Sequence, residues 1–126
     1  MMSATHTIPA ILRFADCDAM GHVNSLRLAE LMEDARLDFL AGIPQRESLE
    51  WRLVSMKVDF HKQPETGSRL VTNSIVTRVG NSSFDMQHEI MSGQTLIASG
   101  ISFLVQVDPE KGISIALEDR QRSWLT

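Results

Sequence analysis

Cysteine occurs once in this chain, at Cys17, which excludes an internal disulfide and a thiolate zinc cluster and makes a reducing compartment the expected setting. Basic residues are the minority, with 12 Lys and Arg against 16 Asp and Glu and a formal charge of −4. A protein whose affinity rests on neutralising phosphates along nucleic acid is thereby excluded, short of a local basic patch. Long apolar runs are missing too: none approaches the roughly 18 residues of a membrane span. The N-terminal MMSATHTIPAIL has neither a basic n-region nor a sustained apolar h-region. A soluble, cytoplasmic protein is expected, with no membrane or nucleic-acid partner. Repeats, linkers and low-complexity tracts are also lacking, so a single domain over 1–126 is the natural count. What remains is ordinary globular composition, 43% hydrophobic and 22% charged over 126 residues. Folding at this length buries roughly two-thirds of the chain's surface, so a core forms without disulfides or structural metal.

From Thr7 the apolar residues Ile8, Ala10, Leu12 and Phe14 recur with a period of two, which predicts a strand ending at Ala15, with Pro9 tolerable at an edge. A polar stretch, Asp16 to Asn24, follows as a loop. Between Ser25 and Ala41 the period becomes helical: Leu28, Leu31, Met32, Ala35 and Phe39 share a stripe, and Glu30, Glu33, Asp34 and Arg36 lie mostly off it. Leu26, Ala29, Leu37 and Leu40 widen that stripe until it covers most of the circumference, which implies a helix largely surrounded by protein. Asn24 or Ser25 caps its start, and Gly42 with Pro44 stops it.

Val54, Met56, Val58 and Phe60 alternate in a second strand, ended by a turn from Gln63 to Gly67. Arg69 to Val79 is a third strand, Gly80-Asn81 a hairpin turn, Phe84 to Ile90 a fourth, and Thr95 to Val107 a fifth that is apolar on both faces from Ile101 to Val105. The segment Leu117 to Trp124 is a short helix. Three tight connections predict that the last four strands are largely antiparallel neighbours, an α+β fold with a five-stranded sheet curved around one helix. One helix covers one sheet face. The fifth strand's other apolar face calls for a symmetric partner.

The loop is where chemistry is expected. A carboxylate just before a helix stands beside unpaired N–H donors and the positive end of the helix dipole, which suits a reaction that builds negative charge on oxygen. Any reaction that passes through an oxyanion is of this kind, and one well-aimed donor to the oxyanion is worth on the order of 3 kcal/mol. Gly21 lets the backbone approach a substrate without a Cβ in the way. An aspartate in this position also serves as an ordinary cap or turn residue.

Arg13-Phe14-Ala15-Asp16-Cys17-Asp18-Ala19-Met20-Gly21-His22-Val23-Asn24, with Glu33-Asp34-Ala35-Arg36 on the following helix, closely resembles the hot-dog-fold acyl-CoA thioesterases of the 4-hydroxybenzoyl-CoA thioesterase type. The order of elements matches that fold along nearly the whole chain. The resemblance implies that Asp18, the second aspartate of the D-x-D loop, is catalytic, and that backbone N–H groups of Val23, Asn24 and Ser25 polarise the thioester carbonyl. It also implies an active site at a subunit interface, in a homodimer or homotetramer whose isolated monomer is inactive. Where the family pattern often continues with a second asparagine and then a tyrosine, this chain has Ser25 and Leu28.

Asp18 either attacks the carbonyl or deprotonates a water, and the sequence leaves both open. Asp16 is expected to support the loop by bonding its amides, and His22 to order the turn rather than act as a base. His61 and His88 fall on strand patterns as packing residues. A Cys17 nucleophile is disfavoured because two flanking carboxylates oppose the thiolate. A metal held by Asp16, Asp18 and His22 matches no helical ligand spacing, so neither metal nor cofactor is expected. The partner is an acyl-CoA or an acyl-carrier-protein thioester, for whose nucleotide end Lys62, Arg69, Arg78, Arg120 and Arg122 are available. Gly80-Asn81-Ser82-Ser83 resembles a turn near the family's cleft and reads equally well as a plain hairpin. Glu30 and Glu33 supply either an acidic pair or, with Arg36, a helix-face ion pair. Two rivals stand beside hydrolysis: a noncatalytic acyl-CoA-binding module, and an enoyl-thioester hydratase-like enzyme using Asp18 and His22.

Overall fold

The computed structural model describes residues 6–126; Met1–Thr5, and with them the opening of the segment read for a leader, lie outside the described residues. The apolar stripe of the long helix is what organises the rest. In chain order the elements are β1 (His6–Ile11), α1 (Ser25–Leu40), β2 (Glu50–Phe60), β3 (Arg69–Val79), β4 (Ser83–Ser92), β5 (Thr95–Asp108), a two-residue β6 (Ile113–Ser114) and α2 (Asp119–Leu125). All strand pairs are antiparallel and the sheet runs β1-β3-β4-β5-β2, with β6 added beside the end of β5. This is the hot-dog arrangement, with one short strand more than the sequence pattern predicts.

Leu28, Leu31, Met32, Ala35 and Phe39 are all buried, and α1 lies along the inner face of the sheet. Leu28, Leu31 and Met32 meet Leu70, Ile90, Ile97 and Ala98 in one core cluster, while Phe39 meets Phe84, Met86 and Leu104 in a second. Gly100 of β5 makes the close approach of helix to sheet feasible. A Cβ there would stand 2.6 Å from Met32 Sδ and 3.1 Å from the Lys57 carbonyl oxygen.

Four expectations are corrected by the fold. The first strand ends at Ile11 rather than continuing to Ala15, because Phe14–Asp16 turns into a 3-10 helix that the Asp16 carboxylate closes by accepting the Arg13 N–H at 2.7 Å; Phe14 is left 87% exposed. β2 is not a neighbour of β3: both edges of β3 are taken, by β1 and β4, and β2 pairs instead with the far edge of β5. The stripe of α1 is not enclosed by its own chain, since Leu26 and Leu37 remain 72% and 56% exposed. Arg36, placed off the stripe by periodicity, is buried; its guanidinium donates to Ser102 Oγ at 3.4 Å and to Glu33 Oε2 at 3.5 Å.

The helix stop works differently from a left-handed glycine cap. Ala41 caps α1 in right-handed helical geometry, and Gly42 supplies space: a Cβ there would lie 2.9 Å from Trp124 Cζ2 of α2. Trp124 in turn packs on Phe39 with ring centroids 4.8 Å apart, which ties the C-terminal helix to the end of α1. Among the described residues no helix is long and apolar enough to cross a membrane.

Candidate active site

The loop from Cys17 to Asn24 is a closed hairpin that delivers the chain into α1. Cys17 and Val23 face each other as an isolated antiparallel bridge, made by Asp18 N–H donating to the His22 carbonyl at 2.7 Å and Asn24 N–H donating to the Asp16 carbonyl at 2.8 Å. Inside it, the Met20 and His22 N–H groups donate to Asp18 Oδ1 at 2.9 and 3.1 Å, the side-chain-to-backbone turn that aspartate favours. Gly21 reverses the chain with φ +77°, where a side chain would be strained, and its N–H donates to the Asp18 carbonyl at 3.1 Å. Asp18 is exposed, and its Oδ2 accepts no hydrogen bond among the described residues.

Asp16 has the opposite surroundings. It is buried, accepts the Arg13 N–H and guanidinium, and lies 3.2 Å from Arg27 Nε of α1, although that N–H is not aimed along the contact. Burial pushes against its ionisation, but the Arg13 hydrogen bonds and the two guanidinium charges outweigh it and hold the carboxyl below the usual aspartate range. Both its oxygens are therefore committed to pinning the base of the loop.

At the start of α1, Asn24 is the cap: its Oδ1 accepts the Leu26 N–H at 2.9 Å and its carbonyl accepts the Arg27 N–H at 2.9 Å. Of the three amides expected to face a substrate, that of Asn24 is already bonded to the Asp16 carbonyl. Those of Val23 and Ser25 have no acceptor among the described residues. Beside them is a crevice of about 200 Å³ lined by Ser25, Leu28, Phe60, His61, Lys62 and Gln63.

With this geometry in place, comparison decides the family. A model of the thioesterase-like superfamily matches residues 12–125, nearly the entire chain and all of the loop. The chain belongs to the thioesterase-like superfamily. No curated protein sequence matches it. Solved structures share its fold: a thioesterase from Thermus thermophilus complexed with coenzyme A and Zn is 24% identical, with a TM-score of 0.86 over 98% of both chains. A probable thioesterase from Escherichia coli is 20% identical, with a TM-score of 0.85 over 95% of this chain and 96% of that one. A 1,4-dihydroxy-2-naphthoyl-CoA thioesterase from Synechocystis is 19% identical, with a TM-score of 0.84 over 95% and 94%. Membership makes this chain a thioester hydrolase by class.

For a thioesterase-superfamily member, the remaining side chains sort by what already holds them. His22 turns the loop through its backbone. His61 Nε2 bonds Ser99 Oγ at 2.8 Å, and His88 is wholly buried between Ser74 Oγ at 2.7 Å and Ser102 Oγ at 3.0 Å. Burial, with Arg36 and His6 adding to it, pushes the His88 pKa down to about 4. Cys17 Sγ bonds Thr66 Oγ1 at 2.9 Å. Of the five cations considered for a nucleotide, Arg78 is paired to Asp85, Arg120 to Glu118, and Arg122 donates to the Gly80 and Asn81 carbonyls. Lys62 and Arg69 have no ion-pair partner among the described residues. Gln63 and Thr66, which touch the loop from 40 and more residues away, carry no signal in the sequence beyond membership of a turn.

Proposed function

We propose that this thioesterase hydrolyses an acyl-CoA thioester to a free acid and CoA thiol, with Asp18 as the catalytic carboxylate. The observation that carries this reading is an unengaged Asp18 oxygen on the hairpin that leads directly into two unbonded N–H groups, those of Val23 at its end and of Ser25 at the start of α1. An oxyanion formed at the thioester carbonyl is stabilised by such donors at a helix start, each worth on the order of 3 kcal/mol. Asp18 either adds to that carbonyl, expelling the CoA thiolate and leaving a mixed anhydride that water then hydrolyses, or takes the proton of a water that attacks the carbonyl and displaces the thiolate directly. The crevice beside Ser25 seats the reacting carbonyl, with Leu28 and Phe60 against the acyl group and Lys62 toward the anionic end of CoA. The complex with coenzyme A in the Thermus thermophilus structure supports CoA over a carrier protein as the thiol.

The working unit is a homodimer or homotetramer. Met20, Leu26 and Phe60 are exposed apolar side chains on the loop, the first turn of α1 and the end of β2 respectively, and β2 is a long edge strand paired on one side only. A second copy covering them would complete the site.

Thiol release from a panel of aliphatic and aromatic acyl-CoAs, run on the parent and on Asp18→Asn, tests the proposal. Equal release by both removes Asp18 from the mechanism. Binding without release from any thioester turns the reading into the noncatalytic module. The hydratase reading needs His22 to work with Asp18, and in this loop those two residues meet through backbone N–H and carbonyl groups rather than through the ring.

A further inference from the structure

We infer that Gln63 is a positioning residue for the carbonyl-binding amides, an inference that rests on the thioester-hydrolysis reading above. Gln63 belongs to the connection between β2 and β3, and its Nε2 donates to the Val23 carbonyl at 3.1 Å across 40 residues of sequence. The peptide unit it grips is the one between the two unbonded donors. On its other side the same unit donates, through Asn24 N–H, to the Asp16 carbonyl at 2.8 Å. A peptide plane held at both its carbonyl and its N–H cannot rotate, and the planes on either side are each fixed at one end only.

Those flanking planes carry the candidate donors. The plane that bears Val23 N–H is tied through the His22 carbonyl to Asp18 N–H at 2.7 Å, and the plane that bears Ser25 N–H is tied through the Asn24 carbonyl to Arg27 N–H at 2.9 Å. Every one of these other ties is local, joining residues between Asp16 and Arg27. They fix the shape of the cassette; its place against the sheet is held by the Val23 side chain in the core cluster and, at the backbone, by Gln63. Among the described residues, Gln63 is the one side chain from outside the loop and α1 that bonds the backbone of residues 16–25. It also lines the crevice with Ser25 and Lys62. Thus the same side chain lines the crevice and holds the peptide that lies between the two candidate donors. A second tie from this connection, Thr66 Oγ1 to Cys17 Sγ at 2.9 Å, holds the outer strand of the hairpin and leaves the Val23–Asn24 peptide untouched.

Gln63 is exposed at the surface, so its replacement leaves the core intact. The test compares the parent with Gln63→Met, which keeps length and bulk but has no N–H, using whichever of benzoyl-, hexanoyl- and palmitoyl-CoA the parent hydrolyses fastest. We expect kcat to fall roughly tenfold or more with KM within about twofold, because misaimed donors lose the transition state more than the substrate. The melting temperature should hold within about 2 °C, and amide NMR shifts should change at Val23 to Leu26 and stay put in the middle of α1. An unchanged kcat overturns the inference. So does a joint fall of kcat and melting temperature with shifts spread along α1, which marks a structural role. If the parent turns over no acyl-CoA, the hydrolase reading fails on its own, and the amide shifts still decide: undisturbed Val23 and Ser25 resonances in Gln63→Met overturn the positioning role, and displaced ones uphold it.

Discussion

Asp16 and Asp18 stand two residues apart with opposite surroundings: the Asp16 carboxylate is sealed against two guanidinium groups, while Asp18 keeps one oxygen without a partner among the described residues. The bridge between Cys17 and Val23 makes this possible, because it turns residue 16 inward and lets the hairpin beyond it project. From that difference follows a prediction about Asp18. Asn in its place retains an Oδ1 to accept the Met20 and His22 amides, so the loop should fold as before, with little change in melting temperature. Activity should nonetheless drop on the order of 10²–10⁴-fold, the range for losing a positioned carboxylate. Thiol release and a thermal melt on the same preparation check both halves.

Asp16 should show the reverse pattern, with its main effect on stability. Removing the carboxylate in Asp16→Ala strips the Arg13 amide of its acceptor and leaves Arg27 with its long 3.8 Å contact to Asp34, at a cost of about 3 kcal/mol. Its carboxyl lies below the usual aspartate value, so the stability it contributes is present above the unfolded value near 4 and is lost as pH falls through the folded one. Urea denaturation between roughly pH 5 and pH 3 should therefore show an acid-induced loss in the parent that is shallower in Asp16→Asn. Identical acid limbs would mean that the carboxylate's ion pairs contribute nothing.

How much of this was legible beforehand depends on whether the signal was local. The stripe of α1, the cap at Asn24 and the hairpin at Gly80 are all written within a dozen residues, where period, turn chemistry and spacing operate. The placement of β2 was not, because the choice between β3 and β5 as its neighbour is made by which edges are already occupied. Arg36 and Ser102 were missed for a related reason. Periodicity tells which side chains share a face, but it cannot say that a core face will accept a guanidinium because a serine on the opposing strand receives it. Phe14 was misplaced because its alternation with Leu12 is real in the sequence, yet the capture of the Arg13 amide by Asp16 outcompetes the strand. Gln63 finds its partner only after folding.

The close seating of α1 on the sheet makes Gly100 a sensitive position. In Gly100→Ala the new methyl meets Met32 Sδ at 2.6 Å, which a flexible thioether can evade, and the Lys57 carbonyl at 3.1 Å, which a paired strand evades less readily. Overpacking of this kind costs about 1–3 kcal/mol. Shortening the helix side with Met32→Ala should relieve part of it, so the double variant should lose less stability than the two single losses added together. A cycle of four urea curves measures the coupling, and strict additivity would show that the backbone contact, rather than the thioether, sets the cost.

His88 supplies the clearest pH signature of the core. It is wholly buried, its two ring nitrogens engaged by Ser74 and Ser102, and the charges of Arg36 and His6 add to burial in holding its pKa down at about 4. In the unfolded chain an ordinary histidine titrates near 6.5. Between these two values the unfolded state binds a proton that the folded state refuses, so stability falls as pH drops from about 6.5 toward 4, with a limiting slope of about 1.4 kcal/mol per pH unit. Above 6.5 the contribution is flat. His88→Gln preserves a donor and an acceptor between the two serines but does not titrate, and so should be less stable than the parent at neutral pH yet lose less on acidification. Urea denaturation of both proteins at about pH 7, 6 and 5 reads the difference. Parallel losses across that range would place the acid sensitivity elsewhere, on the exposed carboxylates rather than on the histidine beneath α1.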